Sequence, residues 1–505
     1  MGVTMAIEIN AFSAICFLIT TLLLVLKLTK RSSKSNVPPS PPKLPLIGNL
    51  HQLGSLPHRS FQTLSRKYGP LMLLHLGQTP TLVVQSSEMA REMTKAHDVV
   101  FATRPQTTAA KIFFYQGKDV SFTRYGEEWR QKRKICVLQL LSPKRVQSFQ
   151  FIREEEVAEL VHNIRQKCGG GGSVINLTQM TIEATNNIVS RCVLGRKYDA
   201  PSGSGSFGDV ARKVLSQFSD FSVGDFFPSL GWIDFLTGLI SKLKGTLGEL
   251  DAVFDDVIAQ HKKKSNIIED EERKDFVDIL LEIQKNGMLD FELTNDHIKG
   301  VLMDLFLGGS DTSSATIEWA MAELMRSPTE MRKVQDEVRR VVGHKSKVEE
   351  ADVKQMKYLG FVVKEALRLH PPNLIIPREA RSSVKLGGYD IPSKATVFIN
   401  VWAIQRDPQV WERAEEFIPE RFENSEIDFK GQDFEFIPFG SGRKGCPGMT
   451  FGVTMVEYVL ANVLYWFDWK LPPTAQDVDM NEGYGLTVTK KEPLLLQPSI
   501  FSFSP

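Results

Sequence analysis

The 505-residue sequence has few cysteines and none at the spacing of a metal or redox motif. Its five cysteines lie at positions 16, 136, 168, 192 and 446, so no C-x-x-C zinc or iron–sulfur motif exists. A disulfide framework is disfavoured at this density. The chain also lacks an excess of either charge, with 61 Lys and Arg residues against 60 Asp and Glu residues. No nucleic-acid-binding function is therefore expected.

The N-terminal segment contains an apolar run with basic residues on one side only. Residues 9–26 carry no charged side chain and would reach about 27 Å as a helix, enough to cross a thin bilayer. Four basic residues follow at positions 27–34, whereas only Glu8 lies close before the run, so the positive-inside rule places the rest of the chain in the cytosol. A cleavable signal peptide is the alternative, but its basic residues would come first. We predict a single-pass membrane anchor within residues 1–37.

A proline-rich segment separates this run from the body of the chain. The closely spaced prolines of residues 38–50 restrict φ and favour extended backbone, which predicts a stiff hinge. The apolar side chains of residues 44–47 are expected to be buried. Residues 51–505 contain no convincing domain boundary and are predicted to form one catalytic domain.

Hydrophobic periodicity predicts a mainly α fold with a small β subdomain. Helical periods occupy residues 142–166, 178–193, 207–218, 241–264, 276–285, 294–325, 329–342 and 358–369. Strand-like runs occupy residues 71–76, 81–85, 383–386, 396–400 and 486–496.

Cys446 lies in a glycine-rich loop, residues 439–448, directly before an apolar helical stretch at 450–467. A single cysteine is more often an ordinary core residue. Here the glycines let backbone N–H groups approach the sulfur, and the following helix N-terminus favours a thiolate over a thiol. No second Cys or His lies nearby to complete a zinc site, whereas haem iron needs one proximal protein ligand.

The Cys446 loop is similar to the F-x-x-G-x-R-x-C-x-G signature of the cytochrome P450 superfamily. Further segments resemble family motifs in the family's order: W-R-x-x-R at 129–133, the oxygen-activating turn at 308–313, E-x-x-R at 365–368 and P-E-R-F at 419–422. From Pro38 to about Pro498 the chain resembles plant microsomal A-type members. The resemblance implies the cytochrome P450 fold, haem b with Cys446 as the axial iron ligand, and a single-pass protein of the endoplasmic reticulum membrane, in contact with membrane lipid, with its catalytic domain on the cytosolic face.

The resemblance also assigns cofactor contacts to particular side chains. Those expected at the haem beside Cys446 are Trp129, Arg133, Arg378, Lys444 and Phe439. Lys444 stands where the signature has Arg, so it would pair with a propionate only as a point charge. Neighbouring basic residues are interpreted either as solvated or as a face for an acidic electron-donor protein: Arg130, Lys132 and Lys134.

Glu365 and Arg368 are three residues apart on a predicted helix, and spacing alone predicts an ordinary surface ion pair. In the family, Arg421 joins them as a buried third member. The resemblance therefore implies a structural network behind the Cys446 loop.

Gly308 and Gly309 lie inside the predicted helix 294–325, where each costs about 1 kcal/mol relative to Ala. Close helix packing through small residues is one interpretation. The other is a locally opened turn that leaves room for dioxygen beside Asp311 and Thr312. The resemblance favours the second and implies that Thr312 and Asp311 are catalytic residues that deliver protons during dioxygen cleavage.

The substrate pocket is expected to be mainly hydrophobic. The resemblance assigns to it Ile112, Leu305, Gly309, Leu374, Ile375 and Leu486. Residues 373–376 form a segment one residue shorter than is typical of plant relatives, which is expected to re-aim Leu374 and Ile375.

The implied activity is an NADPH- and O2-dependent monooxygenase. No G-x-G-x-x-G motif follows a predicted strand, so electrons are expected from a separate NADPH–cytochrome P450 reductase, an FAD and FMN flavoprotein. Lipophilic plant specialised metabolites are the expected substrates, terpenoids first and alkaloids or phenolics next. Two alternatives stay open: a haem-thiolate isomerase or dehydratase independent of reductase, which the intact Asp311-Thr312 pair argues against, and a non-catalytic haem-binding sensor or scaffold.

Overall fold

The structure, a computed structural model, describes residues 13–18, 20–21, 36–168, 173–197, 207–264 and 273–502. Helices dominate this part of the chain, and the strands are short, in agreement with the predicted mainly α fold. The longer helices are α1 Pro57–Tyr68, α2 Glu127–Ile135, α3 Gln150–Cys168, α4 Leu177–Leu194, α5 Phe207–Gln217, α6 Leu239–Lys264, α7 Phe276–Asn286, α8 Asn295–Arg326, α9 Pro328–Val342, α10 Lys357–Leu369 and α11 Met449–Trp466.

Shorter helices connect these elements, at Ser87–Arg91, Asp98–Phe101, Thr108–Phe113, Pro143–Ser148, Val223–Phe226, Ile233–Leu236, Glu350–Val353 and Val401–Ile404. The single helix predicted at 142–166 is in fact two helices, Pro143–Ser148 and α3. Phe149 separates them because its backbone leaves the helical region (φ −88°, ψ 11°) while its ring is buried in the core.

Helix α8 is the centre of the molecule. Thr294 caps its first turn in a capping box with His297, and it ends before Pro328, which suits the first turn of α9 because proline needs no N–H partner there. Helices α4, α10 and α11 pack along α8. The main hydrophobic core lies between them, and its fully buried side chains include Ile188, Ile317 and Val459.

The strands are β1 Leu71–Leu76, β2 Thr79–Val84, β3 Ile175–Asn176, β4 Ile375–Glu379, β5 Val384–Leu386, β6 Tyr389–Ile391, β7 Thr396–Asn400, β8 Phe467–Lys470, β9 Glu482–Gly483, β10 Thr489–Lys490 and β11 Leu495–Ile500. The largest sheet has the order β1-β2-β7-β4, in which β2 and β7 are parallel and the other two pairs antiparallel. A second sheet has the order β3-β11-β8, and two short hairpins join β5 to β6 and β9 to β10.

The strand predicted at 486–496 is divided into β10 and β11, which belong to different sheets. Pro493 lies between them. A proline has no N–H to donate to a sheet ladder, so a continuous strand through this position is disfavoured.

The predicted hinge is attached to the body. Gly48 bridges to Leu76 of β1, and a Cβ at this left-handed position (φ +61°) would lie 2.1 Å from the His75 carbonyl oxygen, so only glycine fits. The expectation that residues 44–47 are buried is wrong for the side chains around the turn. Leu46 is 86% exposed, and Leu44 and Ile47 are exposed as well.

Most of the predicted anchor lies outside the described residues. Of residues 9–26, only 13–18 and 20–21 are described, and these are helical. Within the described part of the chain, no helix is both long enough and apolar enough to span a membrane.

Candidate active site

A large cavity lies between α8 and the Cys446 loop. It contains about 1550 Å³ of empty space, part of it continuous with solvent. Cys446, Thr312 and Phe439 all line it. The structure thus brings the predicted iron ligand and the predicted catalytic hydroxyl to one space.

The Cys446 loop is a series of tight turns that only glycines allow. Gly440 and Gly442 adopt left-handed φ values of +70° and +68°. A Cβ on Gly442 would lie 2.7 Å from Asp98 Oδ1, which accepts from the Arg443 N–H, while Asp98 Oδ2 accepts from the Arg443 guanidinium. The Cys446 N–H donates to the Phe439 carbonyl at 2.9 Å, which closes the loop and directs the sulfur into the cavity.

Burial dominates the electrostatics of Cys446. Its sulfur is open to the cavity but lies deep in the protein, and this desolvation raises the pKa of the thiol. The Gly448 N–H, Arg133 and Arg104 act in the opposite direction and lower the pKa, but by less. The predicted preference for a thiolate is therefore not produced by the loop and helix alone. A bound metal cation would supply the missing stabilisation, since coordination deprotonates a thiol.

Helix α8 forms the opposite wall of the cavity. It is a continuous helix through Gly308 and Gly309, so the predicted opened turn is not present. The Thr312 hydroxyl donates to the Gly308 carbonyl at 2.6 Å within the helix. A Cβ on Gly308 would meet open space, whereas one on Gly309 would lie 3.2 Å from Val189 of α4. Gly308 thus leaves room at the cavity, and Gly309 allows close helix packing.

Asp311 does not line the cavity, although it directly precedes Thr312. Its side chain hydrogen bonds to Thr487, in the turn before β10. Burial raises the pKa of this carboxyl, and the hydrogen bond with Thr487 partly opposes the shift. Asp311 is therefore placed behind Thr312, between the cavity and the C-terminal loops.

Four cationic side chains line the cavity among the residues that the structure describes: Arg104, Arg133, Arg378 and Lys444. Sequence reasoning missed Arg104, because nothing in its local pattern distinguishes a buried arginine from a solvated one. Its Nε is buried and has no hydrogen-bond partner. Burial, and then repulsion from Arg104, lowers the pKa of Arg378 to about 9. Such a group of cations suits an anionic ligand.

The sequence predicts that Lys444 pairs with a haem propionate as a point charge. In the structure its ammonium group is instead bound by backbone carbonyls. Its ammonium group donates to the carbonyl oxygens of Val120 at 3.1 Å and Thr123 at 2.8 Å and lies 4.6 Å from the centre of the Trp129 ring. Burial lowers the pKa of Lys444 to about 6, with a further contribution from Arg104. The shorter reach and single charge centre of lysine suit these carbonyls better than a planar guanidinium would.

Sequence reasoning also missed Asp304, one helical turn before Gly308 and two before Thr312. It is the acidic side chain that lines the cavity among the described residues. The spacing of 304, 308 and 312 places these positions on one helix face, so a signal was present in the sequence.

Behind the Cys446 loop, Glu365, Arg368 and Arg421 form the predicted network. Arg368 binds Glu365 with two hydrogen bonds of 2.8 Å, and Arg421 Nε donates to Glu365 at 2.9 Å. Glu365 and Arg368 are fully buried, unlike the surface pair that their spacing alone predicts. Arg368 also donates to the Gln405, Ala414 and Glu416 carbonyls, which satisfies its remaining three N–H groups.

Of the predicted pocket residues, Leu305 and Gly309 line this cavity, but four others do not: Ile112, Leu374, Ile375 and Leu486. Side chains alternate along β4, so Ile376 and Arg378 face the cavity and Ile375 faces the other side of the sheet. Leu374 is buried against Trp402 and Val488.

The interpretation of Lys132 as a solvated residue or as part of an electron-donor face is wrong. Its ammonium group is fully buried and donates to Thr123 and Glu128, each at 2.8 Å. Trp129, on the same helix, is also buried and donates to the Val120 carbonyl at 3.0 Å.

Comparison with known proteins identifies the family. The cytochrome P450 family model matches residues 38–497. The chain belongs to the cytochrome P450 family. It is 54% identical to a phenylacetaldehyde oxime monooxygenase of Prunus mume, over 94% of this chain and 91% of the relative, and 52% identical to cytochrome P450 71A1 of Persea americana, over 89% and 90%. It is also 46% identical to a costunolide synthase of Cichorium intybus, over 94% of each chain.

The fold agrees with this assignment. A solved zebra fish cytochrome P450 structure with progesterone superposes with a TM-score of 0.75 at 25% identity, covering 89% of this chain and all of that chain. Cytochrome P450 enzymes are monooxygenases that carry haem b, use O2 and take electrons from a redox partner.

The cavity fits haem b on its own features. It has a cysteine sulfur on one wall, three arginines for the two haem carboxylates, and the unpartnered Nε of Arg104. Cys446 would hold the iron, and Arg104, Arg133 and Arg378 are the side chains that would hold the carboxylates.

Proposed function

We propose that this cytochrome P450 is a membrane-bound, NADPH-dependent monooxygenase that inserts one oxygen atom into a lipophilic plant specialised metabolite, with terpenoids first and alkaloids or phenolics next. The observation that carries the proposal is that Cys446 and the Thr312 hydroxyl line one large cavity. Its other walls are mainly apolar and include Leu305, Val363 and Phe451. An apolar substrate is favoured because it leaves no buried polar group unpaired.

The chain's own residues orient groups and handle protons. When bound, haem supplies the activation of dioxygen that no amino-acid side chain can provide. Thr312 presents a hydroxyl that can pass a proton into the cavity while the Gly308 carbonyl holds its orientation. Asp311 lies behind it with a raised pKa, so its carboxyl can take up and release a proton closer to neutral pH than an ordinary aspartate.

Electron supply is proposed to come from NADPH through a separate FAD and FMN reductase. The face for this partner would lie on the side of the Cys446 loop. Arg130 and Arg443 are exposed there, and both lie near the Tyr125 ring. Lys132 is excluded from this face by its burial.

An exposed apolar surface supports association with the endoplasmic reticulum membrane, with residues 1–37 as the anchor and the catalytic domain in the cytosol. The Ile47 carbonyl accepts from the Gly77 N–H, and the Phe226 carbonyl from the Gln78 N–H, so two exposed segments meet at the β1–β2 turn. We define the apolar patch as their exposed side chains: Leu44, Leu46, Ile47, Phe221, Leu230, Trp232, Phe235 and Leu236. Such a contiguous patch is typical of membrane or protein interfaces.

Substrate class is tested by an optical titration of the purified, haem-loaded protein. Terpenoids, alkaloids and phenolics are added separately while the Soret band is followed. A saturable low-spin to high-spin shift with terpenoids is the expected result, because a substrate beside the iron displaces its water ligand. A shift with another class would correct the substrate ranking.

Turnover tests the reaction type. Product formation should require NADPH, the reductase and O2 together, with one oxygen atom from labelled O2 appearing in the product. Product formed without NADPH would indicate an isomerase or dehydratase, and saturable ligand binding without any product would indicate a sensor.

A further inference from the structure

A short segment crosses one side of the haem cavity between α8 and the Cys446 loop. We call residues 118–123, between the helix Thr108–Phe113 and α2, the strap. Val120 and Ser121 line the cavity. Since the strap has no regular secondary structure, its polar backbone groups need partners from elsewhere.

Helix α8 holds the strap from one side. A Cβ on Gly300 would lie 3.0 Å from the Asp119 nitrogen and 3.1 Å from the Lys118 carbonyl carbon, so glycine here lets the strap approach. One turn later, Asp304 Oδ2 accepts hydrogen bonds from the Val120 N–H at 2.6 Å and the Ser121 N–H at 3.1 Å. These two bonds give the backbone N–H groups of the strap the partners that they need in a buried position.

The Cys446 loop holds the strap from the other side. Lys444 Nζ donates to the carbonyl oxygens of Val120, Ser121 and Thr123, at 3.1, 3.4 and 2.8 Å. Asp304 thus accepts two N–H groups of the strap, and Lys444 donates to three of its carbonyl groups.

The same carbonyls orient side chains at the cofactor. Trp129 Nε1 donates to the Val120 carbonyl at 3.0 Å, and Arg104 donates to the Ser121 carbonyl at 3.2 Å. Both side chains line the cavity. The position of the strap therefore decides where these two donors point.

We propose that Asp304 is a positioning residue for haem binding. It fixes the strap through two N–H groups, and the strap carbonyls in turn orient Arg104, Trp129 and Lys444. The inference rests on haem binding in this cavity and is independent of the proposed substrate. Lys444 then serves the strap, and the haem carboxylates are left to the arginines.

Two roles for Asp304 can be separated by substitution. Asn keeps an oxygen that can accept both N–H groups but removes the negative charge that faces Arg104. Ala removes both. Positioning through hydrogen bonds predicts that Asp304→Asn behaves like the wild type and Asp304→Ala does not, whereas a counter-ion role predicts that both fail.

The test uses the full-length, haem-loaded protein. Haem loss is followed by transfer to apomyoglobin, and amide hydrogen exchange is measured across the chain. Asp304→Ala is expected to lose haem about tenfold faster, the effect of about 1.4 kcal/mol, with faster exchange confined to the strap. The matched control is Asp256→Ala on α6, because Asp256 is exposed and pairs at 3.3 Å with Arg196, which lies outside the strap. It should match the wild type.

Wild-type haem loss and strap exchange in Asp304→Ala would overturn the proposal. So would equal damage in Asp304→Asn, or faster exchange throughout the chain without a maximum at the strap. If Asp304→Ala does not fold, Gly300→Ala displaces the strap sterically and leaves Asp304 in place. Faster haem loss in that variant supports the proposal, and unchanged haem loss with a displaced strap overturns it.

Discussion

At the scale of single residues, the fold around the site depends on buried charged groups whose partners fix their orientation. Arg368 is wholly enclosed, yet each of its N–H groups meets a carboxylate or a carbonyl oxygen. Lys132 is likewise buried, and its ammonium group has two oxygen partners, Thr123 and Glu128. A buried charge with a complete set of partners holds one geometry, whereas removal of one partner exposes the full desolvation penalty.

Removal of the Glu365 carboxylate should therefore damage the fold strongly. Glu365→Ala leaves Arg368 buried without its counter-ion, and the free energy of unfolding should fall by about 3–5 kcal/mol. Denaturant unfolding and the thiolate-type carbon monoxide spectrum measure the effect. Glu416→Ala removes an exposed partner of Arg413 nearby and should leave both unchanged. Equal stability of the two variants would contradict the prediction.

Thr312 is expected to affect proton delivery and leave haem binding intact. In Thr312→Ala, NADPH consumption should continue while product per NADPH falls several-fold and peroxide release rises, because the hydroxyl at the cavity is lost. Peroxide and product are measured in the same reaction with the reductase. Ser314→Ala is the control, since its hydroxyl donates to the Asp311 carbonyl and does not line the cavity. Unchanged coupling in Thr312→Ala would refute the assigned role.

At the scale of elements, the two neighbouring glycines of α8 have different surroundings. Gly308→Ala meets open space and should gain helix stability of about 0.5–1 kcal/mol, while it narrows the cavity. Gly309→Ala places its Cβ 3.2 Å from Val189, so the α4–α8 contact must open and the stability gain is lost. Denaturant unfolding of the two variants measures the difference. The prediction fails if Gly309→Ala is as stable as Gly308→Ala.

Helices α6 and α7 are joined by a pH-sensitive contact. His261, near the end of α6, lies 2.8 Å from Asp275, the N-cap of α7. Burial lowers the pKa of His261, but the bond and charge of Asp275 outweigh this, so the pKa is raised overall. Its contribution to stability is complete below the unfolded-state pKa of about 6.5 and is lost as the pH rises through the higher folded-state value.

The denaturation midpoint should therefore fall between about pH 6.5 and the raised pKa of His261 in the wild type. His261→Gln should remove this part of the pH dependence. Thermal unfolding across a pH series measures both proteins. The assignment to His261 is wrong if the two profiles stay parallel.

At the scale of the whole molecule, the proposed membrane association predicts that the apolar patch contacts the bilayer. Trp232, at 60% exposure, lies in that patch, and an indole is well suited to the membrane–water interface. Brominated phospholipids should quench part of the tryptophan fluorescence of the full-length protein in vesicles, and Trp232→Phe should remove that part. Quenching unaffected by this substitution would place the patch away from the lipid.

The family and its chemistry could be read from local patterns, because the motifs around Cys446, Thr312 and Glu365 are contiguous in the chain. The helices agreed well for the same reason, since α8 and α10 start and end within a residue or two of the predicted positions. Facing was harder. Ile375 was expected in the pocket, but Ile376 faces the cavity because the register of β4 against β7 decides which side chains point inward.

The sequence by itself determined most of the helices, the family and the cysteine expected to bind haem, since these depend on residue type and short spacing. Only the tertiary structure decided which charges meet at the cavity. Arg104, Asp304 and Lys444 are far apart in the chain, and the strap brings them together through backbone groups. Backbone N–H and carbonyl groups are the same at every residue, so no sequence pattern marks the ones that a buried charge will bind.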